Sequence, residues 1–560
     1  MTSVADAGRS GLRAPQIRLP HFSPLAEGLL GSALILIGSY GVGWLVSISP
    51  LSRWDLLLPL RTTPTGVVVS TVALTLGCWL MFHAWLRLRE VLHTGEQPLR
   101  SISRTAAAWM IPQLFVLPIF SRDVFAYLNQ GRLVLQGEDP YTTGVSTLEN
   151  WFQLGTDIVW AEDATPYGPL FLWLEAAVMR VSADQPDLAV FLFRLACAAG
   201  LVLMMIYVPR LARLLGADPA RAQWLTAANP LLIISFISSV HNDSLMIGFA
   251  LAGIYLAATA ERQRGRGVLA VLLVTLSIGI KPITMVLLPF IGLLWAWAGL
   301  RGEGISLGWM RRLRHWAWTL LIAAAVMLGV GLISVAGGDA YGFGWLEVLS
   351  GTGTGSMLWS PVGLADALLT GALILAGADH GWTLDVLRVV GRALSVVIVL
   401  VLMMLPLRAA GSAAPASASA PASCSAEAAA SNTGADAQLR ALVLRMTWAF
   451  SALVLLSPVI QPWYLLWLLP LIAVLRGGEG RGFVGIVLIT AFFLAFGAAD
   501  QLQIWQFLEF GALAPSTAMA LVSAAVSVMA LTVLLVRRSS RRLILPGGEI
   551  RDRGVRHPTA

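Results

Sequence analysis

Charge is what this chain of 560 residues has little of. Only 12% of it is Asp, Glu, Lys or Arg, against 57% hydrophobic residues, whereas a soluble protein carries about 25% charged residues to keep its surface hydrated. Half that supply leaves most of the surface facing lipid, which excludes a soluble enzyme and a disordered chain. Cysteine is scarce too. Cys78, Cys197 and Cys424 are the three present, and their spacing supports neither a disulfide scaffold nor a metal site. Lys281 is the only lysine, every other basic side chain being Arg. The net charge of +7 resides in short loops between apolar runs, where it sets membrane topology, so no nucleic-acid partner is expected. The first apolar run is long enough to be retained as a span and is not expected to be a cleaved leader.

What is present is a series of apolar runs. A helix needs about 20 apolar residues to cross the hydrocarbon core. Candidate spans lie near 25–48, 64–88, 104–120, 187–210, 222–240, 243–260, 267–280, 282–299, 314–336, 383–407, 439–458, 462–476, 481–499 and 514–536. Two shorter pieces, 168–181 and 361–376, read as tilted, re-entrant or interfacial helices. Arginines before the first span and in alternate loops put both termini and the basic loops inside. The fold class expected is an all-α polytopic membrane protein with about 14 crossings plus short interfacial or re-entrant helices. Its organisation reads as a cytoplasmic tail (1–24), a transmembrane module (25–408) with a large outer loop (121–186), a flexible Ala/Ser-rich linker (409–438), a C-terminal transmembrane module (439–536) and a cytoplasmic tail (537–560). An outer loop of that length is uncommon unless it has a function.

By this topology the uncommon polar residues gather on the outer side. Ser121-Arg122-Asp123 follows an apolar span, and Asp123 and Tyr127 share one helical face. A carboxylate held beside an Arg suits a general base next to an anion site; the same pair also suits a headgroup anchor. His241-Asn242-Asp243 sits between two apolar runs, either as a cap for the following helix or as a polar site. Lys281 precedes Pro282 inside an apolar region. It either snorkels to the headgroups or supplies a compact counter-charge for phosphate. Gln461-Pro462-Trp463-Tyr464 reads equally as an interfacial aromatic belt or a sugar platform. Asp139 and Tyr141 follow the first cluster in the same outer loop, and Tyr167 and the Gly-rich segment 337–355 belong to the same face with weaker signals.

The ordered set Ser-Arg-Asp-Val-x-x-Tyr, Gly-Arg, Asp-Pro-Tyr, Tyr-Gly-Pro, His-Asn-Asp, Lys-Pro and Gln-Pro-Trp-Tyr resembles the actinobacterial polyprenol-phosphate-mannose-dependent α-1,6-mannosyltransferases, membrane glycosyltransferases of the GT-C class. The resemblance covers roughly residues 25–540 and is to the type that builds the early backbone of lipomannan and lipoarabinomannan. It implies a GT-C-like bundle in the plasma membrane with its site facing outward, a polyprenyl-phosphate-mannose donor and a lipid-anchored mannan acceptor. It assigns the catalytic carboxylate to Asp123. Lys281, His241 and Arg122 become candidates for the donor phosphate. Tyr127, Asp139, Tyr141, Tyr167, Asn242, Asp243, Gln461, Trp463 and Tyr464 become candidates for the substrates. The outer loop departs from some class members in having no plain Asp-x-Asp, so no cofactor is assigned, although a divalent metal stays open. The alternatives are the later-acting mannan-elongating paralogue and a polyprenol-linked glycan transporter or flippase.

Overall fold

The computed structural model describes residues 22–94, 96–300, 307–337, 342–348, 356–406, 424–475, 480–500, 509–511 and 513–536. The expected terminal tails lie almost wholly outside these residues, as does 409–423 of the expected linker. From Cys424 onward the chain is helical and runs without a break to Leu455. Among the described residues the regular structure is helical apart from one isolated bridge, Phe510 to Leu513.

Proline opens many of the helices, among them Pro24–Val42, Pro64–Leu88, Pro98–Gln113, Pro169–Ser182, Pro186–Leu214 and Pro361–Leu375. Its fixed φ suits the first turn, where its missing N–H leaves no bond unmade. Ser23 and Thr63 cap the first two, accepting from the amides of Ala26 and Gly66 at 3.2 and 3.0 Å. Gly31 and Gly77 let those two helices close on each other: a Cβ on Gly77 would sit 2.6 Å from the Gly31 carbonyl oxygen. The C-terminal helix Pro515–Val536 docks on the same helix Pro64–Leu88 through a ladder of four-residue period. Thr75 and Ser523 hydroxyls meet at 3.1 Å, and the Trp79 indole donates to Ser527 at 3.0 Å.

Eight described helices are long and apolar enough to cross a bilayer, or nine if one bent pair counts as a span. About 14 were expected from apolar length, and the difference has a physical reason. Several apolar runs fold as helical hairpins that turn back at a polar apex. The helix Asp243–Ala258 packs alongside Pro186–Leu214 in the same direction, Ser244 lying on Gly200 and Tyr255 on Tyr207. The chain therefore reverses just before it, with a bend of 116° after Pro230–Ser238. The next helix, Arg264–Ile280, runs antiparallel, its Ser277 donating to the Met246 carbonyl at 2.7 Å. It has 17 residues, a rise of about 25 Å, short of the roughly 30 Å hydrocarbon core. The chain turns at Lys281 and descends through Pro282–Ala298, Trp295 closing on Gly267. A third reversal follows Leu455: Phe450 stacks on Trp467 of the helix Leu465–Val474, centroids 6.0 Å apart. The ambiguous pieces form Pro169–Ser182 and Pro361–Leu375, of 14 and 15 residues, both below crossing length.

Candidate active site

The apices of these hairpins meet beside the start of the helix Asp123–Leu135. Two of the incoming turns are strained. Phe120 and Val240, each three residues before an acid, adopt left-handed backbone at φ 65° and 59°. This region is disfavoured for side-chain-bearing residues, most of all for a β-branched one. Such strain costs about 1–3 kcal/mol and persists only where the surroundings over-determine it. The Phe120 ring lies on Gly497 of the helix Arg481–Asp500, where a Cβ would approach it to 2.6 Å.

Asp123 stands at the centre. Its Oδ2 faces Nδ1 of His241 at 3.5 Å, and its Oδ1 accepts from the Trp160 indole N–H at 3.3 Å. The Asp123 amide donates to the Ser121 hydroxyl at 3.1 Å. The Asp123 side chain keeps 13% exposure while that of His241 keeps 1%, so the carboxylate is the more accessible of the two. Burial pushes the Asp123 carboxyl up. The facing His241 imidazole, the Lys281 charge and the Trp160 N–H outweigh it and hold the carboxyl below its ordinary range. The His241 ring stacks on Trp463, centroids 3.7 Å apart and planes 24° from parallel. Among the described residues neither ring nitrogen of His241 makes a hydrogen bond of good geometry, and its nearest acidic neighbour is the Asp123 carboxylate.

A second charged pair lies one layer behind. Lys281 Nζ donates to Asp243 Oδ1 at 2.7 Å and sits 5.5, 5.4 and 5.1 Å from the ring centroids of Tyr167, Tyr464 and Trp467. Aromatic faces stabilise an ammonium there. The loop carrying Tyr167 is tied to this apex by the Gly168 amide, which donates to the Ile280 carbonyl at 2.9 Å. Tyr127 meets Tyr167 edge to face at 5.2 Å. Asn242 does not cap the following helix with its side chain. Its amide is buried, and among the described residues neither of its polar atoms has a hydrogen-bond partner, nor has Oδ2 of Asp243. Buried polar atoms normally find partners, so three unpartnered ones in adjacent residues beside Asp123 and Lys281 set this apex apart from an ordinary helix start.

Asp123, Tyr127, Tyr167, His241, Asp243, Lys281, Trp463 and Tyr464 are thus brought together, as the ordered motifs suggested. Others stand apart. Arg122 spends its guanidinium on its own loop, donating to the carbonyls of Gly155 at 2.8 Å and Thr156 at 3.2 Å, and pairing with Asp157 at 3.5 Å. It also lies over the Trp44 ring at 4.6 Å. Asp139 accepts from the Tyr141 amide at 2.9 Å, and Tyr141 donates to the Tyr167 carbonyl at 2.9 Å; both brace the loop. Gln461 is half-buried at the head of the short turn Pro462–Tyr464, without a capping bond from its side chain. Sequence reasoning missed Trp160 and Trp467. Trp467 follows Trp463 by four residues, a helical spacing that could have found it. Nothing local marks Trp160. Among the described residues, no group of three or more His, Cys, Asp or Glu is arranged to hold a metal.

Comparison with known proteins identifies the family. Residues 25–297 match the family model "Alpha-(1->6)-mannopyranosyltransferase, N-terminal domain", and residues 435–535 match the "MptB C-terminal domain". The chain is 31% identical to alpha-(1->6)-mannopyranosyltransferase A of Mycobacterium tuberculosis, over 68% of this chain and 71% of that one. A second alpha-(1->6)-mannopyranosyltransferase of that organism is 28% identical over 86% of this chain and 84% of its own length. Alpha-(1->6)-mannopyranosyltransferase A of Corynebacterium glutamicum is 32% identical over 41% of this chain and 47% of its own. No solved structure matches. The identity to the first of these relatives, over more than two thirds of both chains, shows that this chain belongs to the actinobacterial α-(1→6)-mannopyranosyltransferase family.

Proposed function

We propose that the protein is an inverting membrane mannosyltransferase of the GT-C class. On this reading it moves mannose from a polyprenyl-phosphate donor to the 6-hydroxyl of a lipid-anchored α-1,6-mannan, at the early-backbone stage of lipomannan assembly. The observation that carries this reading is the Asp123 carboxylate, partly accessible at a helix start, with His241 at 3.5 Å and the Lys281–Asp243 pair behind it. The family's activity supplies the reaction class.

In the proposed step, Asp123 takes the proton from the acceptor 6-hydroxyl as that oxygen attacks the anomeric carbon of a β-linked donor. The bond from that carbon to the phosphate oxygen breaks on the opposite face, which leaves an α linkage. Single displacement of this kind needs a base on one side and stabilisation of the leaving group on the other. Polyprenyl phosphate departs as an anion, so a nearby cation lowers the barrier by offsetting charge in the transition state. Lys281 suits that role. An ammonium has three donors, and one is committed to Asp243. His241 is a second candidate, its ring held by Trp463. Arg122, with its donors taken by the 155–157 segment, is assigned no part in phosphate binding. Trp463, Tyr464 and Tyr167 offer flat faces for sugar. By the distribution of arginines the site faces outward.

The test is product analysis. Purified protein, a polyprenyl-phosphate-mannose donor and an α-1,6-dimannoside are expected to yield a trimannoside with a new α-1,6 linkage by NMR. Movement of the donor across a vesicle without a new glycosidic bond would instead support a carrier.

A further inference from the structure

The outer loop closes a circuit of contacts around the Asp123 carboxylate. It begins at the neighbouring residue. Arg122 grips the carbonyls of Gly155 and Thr156 and the carboxylate of Asp157. Asp157 in turn organises the next turn: its Oδ1 accepts from the Val159 amide at 3.2 Å, and its carbonyl accepts from the Trp160 amide at 2.9 Å. A second tether comes from within the helix that Asp123 opens. Asn129 donates to the Thr156 hydroxyl, which donates to the Phe125 carbonyl, both at 2.7 Å. The segment 155–160 is therefore tethered twice at its start, residues 155–157, to the element carrying Asp123. Its half-buried indole returns to that carboxylate at 3.3 Å.

We propose that Trp160 is the positioning residue of the Asp123 carboxylate, held in place by Arg122, and that it makes Oδ2 the oxygen that receives the proton. The inference rests on Asp123 being the base. An indole N–H donates only, so it occupies one lone pair on Oδ1, lowers the basicity of that oxygen and fixes the carboxyl plane with Oδ2 as the oxygen free of an N–H donor bond. The bond survives proton transfer, because once Oδ2 carries the proton Oδ1 is the carbonyl oxygen of a neutral acid and still accepts. The carboxyl plane is then the same before and after the step, which a reaction dependent on pre-set geometry requires. Arg122 is thereby explained as well. It lies next to the base without serving the phosphate.

The groups that interact with Asp123 from the surrounding elements are His241, the Lys281–Asp243 pair, the hydroxyls of Tyr127, Tyr167 and Tyr464, and the Trp160 N–H. Of these, Trp160 is removable without changing a charge. Loss of one N–H donor to a carboxylate raises its pKa by about one unit. Full-length Trp160→Phe, assayed with the polyprenyl-phosphate-mannose donor and a dimannoside, is expected to lose about tenfold in kcat. Its acidic limb should move up by about one pH unit while the acceptor KM stays within about twofold. Trp160→His, which restores a donor, should recover part of the shift. A Trp160→Phe profile that overlays the wild type in both kcat and acidic limb would overturn the proposal. If that variant does not fold, Arg122→Lys, which loosens the same segment, is held to the same two outcomes. An active Asp123→Asn enzyme marks a different failure, that of the base assignment itself.

Discussion

Lys281 and Asp243 form a buried ion pair at 2.7 Å, contributed by the apices of two successive helical hairpins. Each apex alone would leave one charge inside an apolar bundle. Together they hold both hairpins at one depth. An unpaired buried charge costs several kcal/mol, whereas the pair removed together is far less costly.

Lys281→Met is therefore expected to destabilise the protein by about 3–5 kcal/mol, with transfer abolished. The double variant Lys281→Met with Asp243→Asn should recover most of the stability and none of the activity. Thermal unfolding in detergent, run as a double-mutant cycle beside the transfer assay, checks both. A double variant no more stable than the single one would contradict the pairing.

The second prediction concerns pH. Asp123 can act as a base only when ionised, so activity falls as pH drops through its folded pKa. That pKa lies below the ordinary 3.8, so the wild-type acidic limb should lie below that value too. As the folded value is depressed, the carboxylate also contributes stability above the unfolded pKa and loses it as pH falls through the folded one. His241→Gln removes the principal lowering partner and leaves the burial, which raises. The acidic limb should move up by about one unit or more. A kcat/KM profile against pH, beside a stability profile, shows whether the two move together.

The legible and illegible parts of this site differ for physical reasons. Asp123, His241, Asp243, Lys281 and Trp463 stand out in the sequence because polar groups in apolar surroundings need partners. That need brought them together across 340 residues of chain. The number of crossings was not legible, because the apolar run 267–280, which ends a 17-residue helix just before Lys281, looks alike whether it crosses or turns back. The role of Arg122 was hidden for a related reason. A guanidinium beside the proposed base suggests a substrate anion, but its partners are two carbonyls and a carboxylate of a loop 33 to 35 residues on. The same loop folding hid Trp160.

Gly497 provides a third prediction. Its missing Cβ makes room for the ring of Phe120, whose left-handed backbone sets the turn into Asp123. By helix propensity alone Gly497→Ala should stabilise its helix by about 1 kcal/mol. Here it should displace Phe120 and cost about tenfold in kcat, since small misplacements of a reacting group are expensive. Insertion and expression should be unchanged. Restoration of turnover by adding Phe120→Leu would tie the loss to that contact.

The most direct measurement is the single-turnover rate of Asp123→Asn with a polyprenyl-phosphate-mannose donor and an α-1,6-dimannoside. The amide keeps the shape and can still accept from the Trp160 indole, but it cannot take up the hydroxyl proton. A fall of at least about 1,000-fold, with donor binding and thermal stability near wild type, is the expected result. Turnover within a few fold of the wild type would contradict the account.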